Sequence, residues 1–123
     1  MRYLTARKRA EGKGAAHSGP EHHWHMIINS VGLALIVPTF LYVFGRTLGG
    51  SYDAVIARLS HPGMAILTGL VLFVGLVHFR NGATVMIEDY SQGSARKLLL
   101  ISLACLTYGL IATALFALGR IAF

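Results

Sequence analysis

Apolar residues along this chain gather into three long runs, and none of them shows the alternation that marks the strands of a membrane barrel. The first extends from about Met26 to Leu48. It contains Asn29, Ser30, Pro38 and Thr39 but no charge before Arg46, and Gly49-Gly50 then breaks it. The second opens at Pro62, a favoured first-turn residue behind Ser60 and His61, and continues to about Ile87. The third covers about Lys97 to Ala117, with Ser94 as its expected cap and Arg120 beyond its far end. Each run is near the roughly 20 residues that a helix needs to cross about 30 Å of hydrocarbon. Irregular backbone cannot face lipid, so the pattern predicts an all-α integral membrane protein with three transmembrane helices, spanning about 26–48, 62–87 and 97–117.

Composition strengthens that reading. Apolar residues make up 54% of the chain and charged residues 13%, about half the charge of an ordinary soluble domain. The net charge of +6 is unevenly placed, because Arg2, Arg7, Lys8, Arg9 and Lys13 all precede the first apolar run. A polybasic arm beside a hydrophobic span points to membrane topology before nucleic acid, and no nucleic-acid partner is expected. No signal peptide is expected either, since the first apolar run is longer than a signal core and lacks a small-residue cleavage site behind it. Cys105, the one cysteine, lies within an apolar run and reads as a small lipid- or helix-facing residue.

Loop charges predict the orientation. The arm and the second connection, with Arg96 and Lys97, are the basic ones; the first connection offsets Arg46 and Arg58 with Asp53. By the positive-inside rule the N-terminus is cytoplasmic and the C-terminus periplasmic. Residues 1–25 are polar, basic and rich in Gly and His, poor material for a core. They are expected to form an arm that is mobile or orders on a partner protein, with 26–123 as the three-helix anchor. The HHWH cluster at residues 22–25 sits where this arm meets the membrane, with Trp24 suited to the aromatic belt. Its spacing matches no structural zinc motif, so the favoured reading is interfacial histidines that hydrogen-bond a cofactor edge.

The second helix carries the chemistry. An ionisable residue deep in a span is a functional candidate by default, and His78 is one. On a helix advancing 100° per residue, Gly75 and Gly82 fall within about 60° of His78, and Asp89 returns to nearly the same direction about 16 Å further on. One stripe therefore has a deep imidazole, glycines around it, and an acid followed by Tyr90 at the mouth. Two readings remain open on the residues alone. His78 either hydrogen-bonds a neighbouring helix across a close glycine contact, or it ligates haem iron while the glycines leave room for a flat macrocycle. If it ligates haem, the chain has no second histidine at a suitable depth, and a partner membrane protein must supply one. Arg80 lies about 200° around from His78 and is expected to snorkel to headgroups rather than share the cofactor face. Glu88 is expected to be solvated or paired with an arginine at the helix end.

With its H-x10-D-Y pattern (His78, Asp89, Tyr90) and the stretch VHFRNGATVMIEDYSQGSARKLLL around the second loop, the chain resembles the smaller of the two hydrophobic membrane anchors of succinate dehydrogenase, respiratory complex II. IEDY followed by ARKLLL is similar in style to the alphaproteobacterial and mitochondrial-type branch. The resemblance implies that His78 is an axial ligand, through the iron, of a b-type haem shared with a second membrane-anchor subunit. It implies that Tyr90 donates its hydroxyl to a carbonyl oxygen of ubiquinone, with Asp89 helping to deliver protons. It further implies an iron-sulfur subunit and a flavoprotein subunit as partners, which carry the iron-sulfur clusters, the FAD and the succinate-oxidising residues, and location in the bacterial inner membrane. One departure stands out. Where many members carry an arginine early in helix one, for a haem propionate, this chain has Ile27, Ile28 and Asn29, so His22, His23 or His25 would have to substitute. Competing classes are a cytochrome-b-like anchor of another membrane oxidoreductase, which usually carries several intramembrane histidines, and a small transporter, which ordinarily places an acid within a span.

Overall fold

The computed structural model of the chain describes residues 5–7 and 19–122, the side chains of residues 19, 20 and 22 excepted. No strand occurs among the described residues. Helix α1 covers Gly19–Gly45, α2 Tyr52–Leu59, α3 Pro62–Tyr90 and α4 Gly93–Ala122. Three of these, α1 from His23 onward, α3 and α4, are long and apolar enough to cross a membrane. The expected fold class and number of spans are therefore present.

The helices outrun the apolar runs that announced them. α1 begins at Gly19 rather than near Met26, so residues 19–25 are helical, and the rest of the expected arm lies almost entirely outside the described residues. The Gly19-Pro20 pair is a natural start, because a proline at the first turn sacrifices only an N–H that has no helical partner. α4 likewise begins at Gly93 and extends to Ala122, which puts Ser94 inside the first turn instead of capping it. Hydropathy records where hydrocarbon ends. Backbone hydrogen bonding continues until a residue stops it.

The stops are local. α1 ends in a turn over Thr47, whose N–H donates to Phe44 O at 2.8 Å, and Gly49 follows at φ +83°. Gly93 enters α4 at φ +63°. Both are left-handed conformations that cost little only without a Cβ. α3 starts as its sequence predicts: Pro62 occupies the first turn and His61 is the N-cap, its Nδ1 accepting from the Gly63 N–H at 3.2 Å. α2 has no counterpart in the hydropathy pattern, since eight residues are too few for a periodicity to stand out. Ser51 caps it, accepting from the Ala54 N–H at 3.3 Å, with Asp53 in the first turn and Arg58 in the last, both favourable to the helix dipole.

α3 is the central helix. Among the described residues α1 and α4 each pack against it and make no contact with each other, so the three spans form an open layer rather than a closed bundle. The tight seam lies between α3 and α4, and the only buried residues of the two helices are Met64 and Thr68 near the start of α3 and Thr107 and Ile111 in the middle of α4. A Cβ on Gly69 would sit 3.7 Å from Leu115 Cδ2 and 3.8 Å from Leu118 Cδ1, the close approach that small residues provide between membrane helices. α2 bridges the ends of α3 and α4, and Ser60 Oγ donates to Ile121 O at 2.8 Å. Large side chains such as Leu35, Leu41, Phe79, Leu98 and Phe116 are exposed, as lipid-facing or partner-facing residues must be.

Candidate functional site

α3 carries the candidate residues, and packing has fixed which of its faces are free. Gly69 faces α4, and so does Arg80, two positions beyond His78. On the other side a Cβ at Gly75 would lie 4.0 Å from Leu33 Cδ2, which marks the α1 contact. His78 points about 180° away from Gly69 by helical geometry, so it belongs to neither the α3–α4 seam nor the far side of α4. Gly82, close to His78 on the same face, has nothing within 4 Å of where a Cβ would stand. The stripe that the sequence predicted is thus open at Gly82, while its Gly75 edge lies against α1.

His78 is half-buried, its Nδ1 is closed off, and neither ring nitrogen finds a hydrogen-bond partner among the described residues. The neighbouring-helix hydrogen bond, one of the two sequence readings, is therefore not made within this chain. An imidazole without a partner inside a span costs about 1–3 kcal/mol unless something else engages it. With Nδ1 enclosed, Nε2 is the nitrogen left toward the open side, next to the space over Gly82. That combination suits an axial ligand to a flat macrocycle.

At the far end of the stripe Asp89 is exposed and Tyr90 is 87% exposed, in the last turn of α3. Neither makes a hydrogen bond or ion pair among the described residues, so an acid and a phenol stand free at the helix end. Glu88 does not join them. It pairs with Arg96 at 2.9 Å, as expected, and clasps the end of α3 to the first turn of α4 across the short Ser91–Gln92 link. The Ser91 N–H returns to Ile87 O at 2.9 Å and ends the helix immediately after Tyr90.

Arg80 departs from expectation. Instead of snorkelling, its Nη1 donates to Tyr108 Oη at 3.1 Å, and the guanidinium lies 5.1 Å from the centre of the Tyr108 ring. Away from water a cation over an aromatic face gains about 2 kcal/mol or more, and here a partner within the chain removes the need to reach the surface. Sequence reasoning misses Tyr108 because its place within an apolar span gives no sign of facing Arg80. That face is chosen by packing. Arg80 is off the His78 face, as its helical angle requires.

His23 and His25 are exposed on the first turns of α1, at the end of the layer that also holds Asp89 and Tyr90, since α1 and α3 run in opposite directions. The side chain of His22 lies outside the described residues. Ser30, in the stretch without an arginine, spends its hydroxyl on Met26 O at 2.8 Å. His61 is occupied as the α3 cap, at the opposite end of the helix from the site.

Comparison with known proteins agrees with the H-x10-D-Y resemblance. The family model described as succinate dehydrogenase/fumarate reductase transmembrane subunit matches residues 1–115. A succinate dehydrogenase hydrophobic membrane anchor subunit from Paracoccus denitrificans is 42% identical over 120 residues, covering 98% of this chain and 93% of that protein. No solved structure matches. With three apolar spans, a pattern on the second of them and a match over nearly its whole length, the chain belongs to the family of transmembrane anchor subunits of succinate dehydrogenase and fumarate reductase.

Proposed function

We propose that this chain, a multi-pass subunit of a succinate dehydrogenase complex, holds one side of a b-type haem through His78 and one wall of the ubiquinone-reducing site through Tyr90 and Asp89. The observation that carries the reading is the unpartnered imidazole beside the open space at Gly82, on the stripe that ends in a free acid and phenol. A haem bound there would supply a one-electron redox centre between the anchors. His78 Nε2 would provide a lone pair to its iron. A second histidine ligand would have to come from the partner anchor, because His61 caps the opposite end of α3 and the other described histidines lie at the start of α1. His22 and His23 are this chain's candidates for the haem propionates.

Quinone reduction consumes two electrons and two protons, so it needs a site reached by both peripheral electron carriers and water. Tyr90 donates its hydroxyl to a quinone carbonyl, which draws charge onto that oxygen as electrons arrive. Asp89, one residue away and open to water, holds and passes a proton toward the same end. FAD, the iron-sulfur clusters and succinate oxidation belong to the flavoprotein and iron-sulfur subunits. The basic Arg96 and Lys97 beside this end favour a cytoplasmic N-terminus and quinone site, with the C-terminus periplasmic, in the bacterial inner membrane.

The test is the dithionite-reduced minus oxidised spectrum of the purified complex carrying His78→Ala. The b-type signal should disappear or shift while the flavoprotein and iron-sulfur subunits still co-purify. An unaltered spectrum rules His78 out as ligand.

A further inference from the structure

At the end of the layer opposite Tyr90, where α1 stops at Gly45 and α3 starts at Pro62, a groove of about 560 Å³ opens between the tips of α1, α2 and α3. Its walls change character along its depth. Val43, Met64 and Leu67 line the side that belongs to the spans, while Ala57, Arg58 and His61 line the side of the connecting loop. Apolar below and cationic at the rim is the polarity of a phospholipid where headgroup meets acyl chain.

The charges at the rim are free to meet an anion. The nearest bond that Arg58 makes is a long one, from Nη1 to Val43 O at 3.4 Å, and no carboxylate pairs with it among the described residues. Its other donors remain available. His61 commits Nδ1 as an acceptor to the Gly63 N–H, which fixes the ring proton on Nε2 in the neutral tautomer and leaves that nitrogen as a donor. Arg46 and Arg120 stand at the same end and Asp53 is the one acid there among the described residues, so the local balance is positive. Arg46 is stacked over the Tyr42 ring, 4.9 Å from its centre, and does not enter the groove.

We propose that this groove holds one anionic phospholipid, with its phosphate on Arg58 and His61 Nε2 and the upper part of an acyl chain against Val43, Met64 and Leu67. Occupancy would tie α2 to the ends of α1 and α3, the part of the layer where the chain makes few contacts of its own.

The test is native mass spectrometry of the detergent-purified complex titrated with phosphatidylglycerol, compared between wild type, Arg58→Gln and Leu67→Trp. The wild type should take up one more phosphatidylglycerol than either variant at matched lipid. Arg58→Gln should weaken that uptake about tenfold, as expected for loss of a charge-assisted hydrogen bond. Leu67→Trp, which keeps the charge and fills the apolar wall, should also weaken it. Phosphatidylcholine should compete poorly and glycerol 3-phosphate not at all. Equal uptake by all three complexes overturns the proposal, and so does displacement by glycerol 3-phosphate, which would mark a plain phosphate site. Wild-type complex that takes up no lipid here overturns it in favour of a partner side chain in the groove. Co-purification of all subunits in each variant excludes misassembly as the cause of a loss.

Discussion

Tyr90 makes no hydrogen bond among the described residues and is almost wholly exposed, so its hydroxyl contributes nothing to holding this chain together. Removing that oxygen therefore separates function from folding. Tyr90→Phe should lower succinate-driven ubiquinone reduction by about 10- to 100-fold, the usual range for one lost polarising or proton-handling group. Assembly and succinate oxidation with a soluble acceptor should stay near wild type. Quinone turnover that survives the substitution intact would argue that the phenol is a boundary residue and nothing more. Arg80 behaves in the opposite way. It is closer to His78 in sequence, yet it lies on the α4 side of α3, where it donates to Tyr108 instead of facing the His78 stripe.

At the scale of elements, the layer depends on how closely α3 and α4 approach. In lipid the hydrophobic effect gives helices no reason to associate, so van der Waals fit and buried polar contacts carry the seam. Gly69 lies in that seam. Alanine there would meet Leu115 and Leu118 at ordinary contact distance, 3.7 and 3.8 Å, and should be tolerated. Gly69→Ile would drive further atoms into the same two leucines, costing about 1–3 kcal/mol of helix packing. The measurable consequence is a complex that loses its anchors at a lower temperature or detergent concentration than wild type or Gly69→Ala. If Ala and Ile behave alike, the seam is looser than its geometry indicates. The clasp from Glu88 to Arg96 is a smaller contribution, worth at most about 1 kcal/mol at its exposure.

Across the whole molecule the notable feature is incompleteness. Among the described residues α1 touches α3 but not α4, and the most apolar window of α1 contains no buried residue. The face of the central helix around His78 and Gly82 is left for something outside this chain. Produced without its partner subunits, the chain should reach a steady-state level in membranes several-fold below its level in the complex, because an unpaired anchor spends more time open to proteolysis. Equal abundance by immunoblot would show that the layer is self-sufficient. The sequence by itself determined the class, the count of spans and the stripe of His78, Asp89 and Tyr90, because hydropathy, loop charge and 100° per residue are local quantities that need no neighbour. It also carried the H-x10-D-Y resemblance that the family comparison supports. Local rules did not reveal α2, the pairing of Arg80 with Tyr108, or the groove under Arg58 and His61. Each of these depends on which helix lies beside which, and at what height, and that is settled only when side chains far apart in sequence pack together.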